Sequence, residues 1–177
     1  MRGNIILCGF MGCGKTSVGR RAAALMGREL CDLDSYIEEQ AGMTVSEIFA
    51  RFGEAEFRER EARAVREVAG APGLIIASGG GTVLSRANVE AFHERGGLIV
   101  FLDAPLAALQ ERLKNDRRRP LLQVPDRRRV IEELFEKRIP LYRAAADVTV
   151  DAGAPPVTVA RRVAELEKTL DNARDMR

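Results

Sequence analysis

Gly9-Phe10-Met11-Gly12-Cys13-Gly14-Lys15-Thr16 decides the fold. Before it stands Asn4-Ile5-Ile6-Leu7-Cys8, an apolar run that reads as a buried strand. After it, Ser17 to Met26 reads as a helix. The pattern G-x-x-x-x-G-K-[ST] between a strand and a helix is a phosphate-binding loop. Glycines let backbone N–H groups turn inward around phosphate oxygens. The helix N-terminus adds partial positive charge at the same point. Lys15 brings a mobile cation to the β- and γ-phosphates, and the Thr16 hydroxyl suits Mg²⁺. Gly12, Cys13, Gly14, Lys15, Thr16 and Ser17 are therefore the expected nucleotide contacts. A glycine-rich turn that binds nothing is the bland alternative, and the strand and helix on either side weigh against it.

The chain has 177 residues, enough for one domain with a sizeable core. Its 28 basic and 26 acidic residues nearly cancel, which argues against bulk nucleic-acid binding and points to local clusters of charge. Only 5% of residues are aromatic, so the core is expected to be aliphatic. Cys8, Cys13 and Cys31 have no metal-ligand spacing, and three cannot all pair, so reduced thiols in a cytoplasmic protein are expected. Cys13 is expected to be a filler in its loop rather than a reactive thiol. No apolar run approaches 18 residues and no signal peptide is read, so neither a membrane span nor export is expected.

Further strand-like runs are Glu29–Asp32, Leu74–Ala77, Leu98–Leu102 and Val148–Val150, with helical patterns between them. Five short strands joined by helical crossovers predict an α/β sheet, mostly or wholly parallel, with helices on both faces. Ligands of such sheets sit at the carboxyl ends of the strands. The candidates there are Gly9–Thr16, Asp32–Asp34, Ser78–Gly81 and Asp103. No repeat or linker divides the chain. A single domain over residues 1–170 is expected, followed by a polar tail, Asp171–Arg177, that frays.

Asp32-Leu33-Asp34 has two readings. In extended geometry the two carboxylates point in similar directions, one toward a metal and one toward an acceptor. Alternatively Asp34 caps the helix Ser35–Ala41. Beside a phosphate-binding strand the functional reading is favoured. Phe49 to Glu61 is charged and helical, with Arg58 and Glu61 spaced to touch. Most of its charges suit a solvated face, and spacing leaves Arg58 open. Gly79-Gly80-Gly81 costs chain entropy that suits a close approach of backbone to ligand. Ile75-Ile76-Ala77-Ser78 lacks the strand-end Asp that commonly supports Mg²⁺, so Asp32 is the substitute. His93, the only histidine, is expected on a surface helix, which excludes a His-based triad or metal site. Arg112, Lys114, Arg117, Arg118 and Arg119 form a basic stretch. It reads as a solvated edge, a nucleic-acid patch or a lid bringing arginine to the triphosphate, and the lid is favoured. Arg127–Arg129 reads as a solvated helix start, and Pro140 is expected to kink or end a helix, with Arg138 shortly before it.

In combination these motifs resemble the shikimate kinase family. They are Gly9–Ala24, Asp32–Asp34, Phe49–Glu61, Gly79–Gly81, Arg119–Leu122 and Arg138–Tyr142, and the resemblance runs over residues 4–151, nearly all of the chain. The resemblance implies a five-stranded parallel sheet sandwiched by helices, with a lid near 112–124. It implies ATP as donor, Mg²⁺, and phosphorylation of the 3-hydroxyl of shikimate by a cytoplasmic monomer. By resemblance, Asp34, Arg58, Gly79, Gly80, Gly81 and Arg138 bind shikimate, the two arginines holding its carboxylate. Glu61 would orient Arg58, and Phe49 and Phe57 would wall the pocket. Lys15, Asp34 and Arg119 would carry catalysis, Arg112 would lie against adenine, and Thr16 and Asp32 would hold Mg²⁺, the latter through water. The chain departs from the family at Asp151-Ala152-Gly153-Ala154-Pro155-Pro156, which offers adenine backbone in place of a basic or amide side chain. A kinase of another small polyol acid such as gluconate, and a nucleotide-binding module without turnover, are the alternatives.

Overall fold

The computed structural model describes residues 3–116 and 122–175. One sheet organises them, with strands β1 (Ile5–Cys8), β2 (Leu30–Asp32), β3 (Ile75–Ala77), β4 (Leu98–Asp103) and β5 (Val148–Asp151). Their order is β2-β3-β1-β4-β5, and every pairing is parallel. All four residues of β1 are buried, as a central strand covered on both faces requires. Ile5 pairs with Ile75 on one side and Leu98 on the other. The chain runs from β1 to the edge strand β2, returns through β3, and then crosses to β4 beyond β1. The end of β1 is thus the switch point of the topology, where such sheets bind ligands.

Seven α-helices flank the sheet among the described residues. They are α1 (Lys15–Met26), α2 (Leu33–Ala41), α3 (Val45–Gly70), α4 (Arg86–Glu94), α5 (Leu106–Leu113), α6 (Arg127–Ala145) and α7 (Pro156–Asp175). The layered architecture and all five strands match the expectation from sequence, with ends shifted by a residue or so. The core is aliphatic around Phe10, Phe92, Phe101 and Tyr142. Buried Asn4 ties β1 to its surroundings: its amide donates to Val68 O and Ala69 O, and its side-chain oxygen accepts from Leu74 N. Cys8, Cys13 and Cys31 are free thiols. No helix among the described residues is long and apolar enough to cross a membrane.

Three local expectations change. Helix α1 starts at Lys15, two residues before the reading from sequence, because Gly14 takes the left-handed conformation (φ 98°) and turns the chain directly into the helix. The charged stretch around Phe49–Glu61 is not one continuous helix. Thr44 and Glu47 form a capping box at the start of α3, and Gly53 (φ 81°, ψ 177°) then breaks its path. Pro140 does not end α6, which continues to Ala145. Burial of Ile139 and Tyr142 against the core keeps the helix going through the lost backbone donor.

Candidate active site

The phosphate-binding loop closes largely on itself. Lys15 Nζ donates to Gly9 O at 2.8 Å and Phe10 O at 3.2 Å, so its ammonium rests over the loop interior. Cys13 is buried, with its Sγ 3.8 Å from Lys15 Nζ, in keeping with a filler position. Helix α5 lies over the loop. Leu113 packs on Gly12, where a Cβ would fall 3.2 Å from it, and Arg112 Nη1 donates to Gly12 O at 3.1 Å. Exposed Thr16 and Ser17 stand in the first turn of α1.

Asp32 and Asp34 divide their work differently from the extended geometry expected of them. The strand ends at Asp32 and a helix begins at Leu33. Asp32, not Asp34, is the N-cap: its Oδ1 accepts from Ser35 N at 3.3 Å. Its Oδ2 accepts from Thr16 Oγ1 at 2.6 Å, which joins β2 to the head of α1. Asp34 stands free of the cap, in the first turn of α2. It is open to solvent, yet protein atoms crowd its surroundings. That partial loss of water, with the charge of Asp32 next in weight, pushes its carboxyl up to about 6. Lys15 acts the other way on the same carboxyl, so the two residues share one cleft.

The Gly79–Gly81 turn faces this cleft, and each glycine meets a different group. A Cβ on Gly79 would lie 2.8 Å from Asp34 Oδ1. On Gly81 it would lie 2.6–2.9 Å from the Arg58 guanidinium. On Gly80 it would lie 4.0 Å from both Arg138 Nη1 and the Tyr142 hydroxyl, an ordinary contact. The structure thus gathers Asp34, Arg58, Gly79, Gly80, Gly81 and Arg138 from three helices and one turn. The N–H groups of Gly80 and Gly81 have no hydrogen-bond acceptor among the described residues.

Arg58 is held from below. Its Nη1 donates to Glu61 Oε2 at 2.8 Å, and Glu61 is only 1% exposed. The other oxygen of that carboxylate accepts from Thr82 Oγ1 at 2.8 Å, and Asn88 Nδ2 donates to Thr82 O at 3.0 Å. Glu54 adds a second, exposed ion pair at 3.2 Å. Phe57 is buried against Phe49, ring centroids 4.6 Å apart, so the pair forms a wall beside Arg58. Arg138 is half-buried and forms no ion pair with any described carboxylate.

Other sequence readings fall out plainly. Arg117, Arg118 and Arg119, with the middle of the expected lid, lie outside the described residues. Arg127 is not part of a solvated helix start. It donates to Leu113 O and Lys114 O at 3.1 and 2.7 Å and to Leu122 O at 2.8 Å, bracing both sides of that segment. Arg128 and Arg129 are exposed as expected. His93 sits at the surface beside Asp147. In the loop after β5, Asp151 accepts from Gly153 N at 2.9 Å and from Arg162, so its carboxylate is committed within the loop. Thr82 and Tyr142 were not singled out from the sequence. A turn gives Thr82 no periodicity to read, whereas Tyr142 follows Arg138 by four on one helix and so shares its face.

A family model described as shikimate kinase matches residues 11–168. The shikimate kinase of Aromatoleum aromaticum is 44% identical over 169 residues, covering 95% of this chain and 94% of its own. The structure of shikimate kinase from Acinetobacter baumannii in complex with shikimate superposes with a TM-score of 0.88 at 37% identity, covering 97% of this chain and 95% of that one. A gluconokinase from Sinorhizobium meliloti shares only the fold, with a TM-score of 0.62 at 18% identity. A phosphate-binding loop at the switch point of a parallel sheet, facing two arginines and a carboxylate across one cleft, accords with these matches: the chain belongs to the shikimate kinase family.

Proposed function

We propose that the cleft holds ATP on the Gly9–Thr16 side and shikimate between Asp34, Arg58, Gly79–Gly81 and Arg138. The observation that carries this is the glycine turn, whose three residues abut an acid, one arginine and a second arginine in succession. Two guanidinium forks suit a carboxylate, and a carboxyl near pH 6 suits a hydroxyl that must lose a proton at neutral pH. Bare glycine backbone allows a ring to approach its unpaired N–H groups closely.

In this reading Lys15 and the N-terminus of α1 carry the charge of the β- and γ-phosphates. The Thr16 hydroxyl and Asp32 carboxylate, 2.6 Å apart, fit Mg²⁺, which takes few protein oxygens and completes its shell with phosphate and water. When bound, the metal ion neutralises charge on the transferring group. Arg58 and Arg138 fix the carboxylate of shikimate and so aim its 3-hydroxyl at the γ-phosphorus. Asp34 orients that hydroxyl and accepts its proton as the new O–P bond forms and the bond to the ADP oxygen breaks. Arg119 enters by resemblance alone as a further cation on the phosphates, and Arg112, over the loop on Gly12 O, would border adenine. The free thiols accord with a cytoplasmic protein. Apart from Phe49 and Phe52 on α3, the exposed large side chains Leu25, Val124, Leu141 and Val157 are scattered along the chain, which accords with a monomer.

A coupled assay of ADP release over a panel of small hydroxy acids tests the reading. Release that depends on shikimate and is much weaker with gluconate is the expected result. Equal turnover with gluconate supports the polyol-kinase alternative, and ATP binding without turnover on any acid supports the non-catalytic one.

A further inference from the structure

Tyr142 is buried completely, yet its hydroxyl reaches the wall of the cleft. Its ring stacks on Phe101 of the interior strand β4, centroids 5.7 Å apart and planes inclined by 23°. A buried tyrosine needs a partner for its hydroxyl, and this one donates its single proton to Gly80 O. The oxygen then has only acceptor capacity left, while a guanidinium has only donors. The guanidinium beside it is Arg138, one helical turn back on α6, whose charge acts on the same oxygen. Both groups stand 4.0 Å from the point where a Cβ on Gly80 would be. Burial keeps the phenol protonated by pushing its ionisation up to about 12.

We propose that Tyr142 is a positioning residue for the acceptor: its hydroxyl fixes the Gly80 peptide by donation and the Arg138 guanidinium by acceptance. The peptide is planar, so anchoring Gly80 O toward Tyr142 turns the Gly81 N–H the opposite way. One oxygen thereby sets both a backbone donor and an arginine, and it does so from rigid supports, a strand on one side and a helix on the other. Arg58 has its own buried carboxylate, Glu61, whereas Arg138 has no described carboxylate and relies on this hydroxyl. The role rests on the reading that Arg138 holds the carboxylate of shikimate.

The test compares Tyr142→Phe, Arg138→Ala and the double variant in the full chain, with separate KM values for shikimate and MgATP. Removing one buried hydrogen-bond donor leaves Gly80 O unpaired and Arg138 loose, so Tyr142→Phe is expected to raise the shikimate KM about tenfold. The MgATP KM and kcat should stay within about twofold. Because both changes act on one group, the double variant should exceed Arg138→Ala in shikimate KM by much less than that tenfold. Thermal melting without ligand checks that the variant is folded, and shikimate should raise its melting temperature less than it raises the parent's. A shikimate KM unchanged in Tyr142→Phe but greatly raised in Arg138→Ala overturns the positioning role alone. So does an equal rise in both KM values, or effects that multiply in the double variant. An unchanged shikimate KM in Arg138→Ala overturns the carboxylate reading and the positioning role with it.

Discussion

In the function proposed above, the two halves of the cleft are built in opposite ways. The donor half is built chiefly from one contiguous stretch, Gly9 to Ser17, whose lysine is held by carbonyls of its own loop. The acceptor half collects Asp34 from α2, Arg58 and Glu61 from α3, the turn after β3, and Arg138 and Tyr142 from α6. Backbone N–H groups and a helix end recognise phosphate whatever side chains fill the gaps, so the buried Cys13 serves in that loop as well as another small residue would. Recognition of a small hydroxy acid depends instead on side chains, and each one here has a support of its own. Glu61 and Thr82 stand behind Arg58, Tyr142 stands beside Arg138, and the crowding around Asp34 sets its acidity. A general donor can be coded locally, whereas a particular acceptor has to be assembled by the fold.

The halves should separate most widely at Lys15. Lys15→Ala removes the cation over the phosphates and is expected to lower kcat by roughly 10³-fold. Shikimate should still raise the melting temperature of the variant by the parent's amount. Loss of that shift would show the acceptor half to depend on the donor half.

Asp34→Asn should lower kcat by about 10²–10⁴-fold while the KM for MgATP stays within a few-fold. The pH profile gives the same residue a second test. Asp34 must be ionised to accept a proton, and its carboxyl titrates near 6, so kcat/KM for shikimate should fall as pH drops through about 6. The stability linkage has the opposite sense. A carboxyl whose folded value is raised above the unfolded one favours folding below the unfolded value and loses that contribution as pH rises through about 6. Asp34→Asn should therefore melt no lower than the parent at neutral pH. Water access at the side chain keeps this effect small.

Arg58→Ala and Arg138→Ala each remove charge-assisted hydrogen bonds from the acceptor side alone. Each is expected to raise the shikimate KM by about 10–100-fold and to leave the MgATP KM within twofold. Equal rises in both KM values would erase the distinction between the halves.

The glycines give the smallest and most graded effects. Gly81→Ala drives a methyl into the Arg58 guanidinium and Gly79→Ala drives one into Asp34, whereas Gly80→Ala meets only ordinary contacts. Initial rates at low shikimate should fall several-fold for Gly81→Ala and Gly79→Ala and least for Gly80→Ala. The reverse order would mean that the turn does not work through these neighbours.

The same division governs what could be read from the chain in advance. The sheet was legible because each strand is a short apolar run, and β1 with its loop carries a motif that needs no tertiary context. Asp32 and Asp34 were recognised as a pair, but extended geometry gave them the wrong relation. Whether a strand ends at Asp32 or Asp34 depends on where α2 packs, and this decided which carboxylate capped and which stood free. Gly53 was passed over inside a charged helical pattern, although its positive φ redirects α3 just before Arg58. Arg127 looked like one of three solvated arginines, and its three carbonyl partners are set by how the chain folds back. Thr82 hides in a turn, where no periodicity shows which way a side chain points.

Phosphorus NMR of the chain incubated with MgATP and shikimate tests the central claim most directly. One new phosphate monoester on the 3-oxygen of shikimate should appear for each ADP formed, and ADP should not accumulate when shikimate is left out. Inorganic phosphate in place of the ester, or ADP formed at the same rate without shikimate, would contradict it.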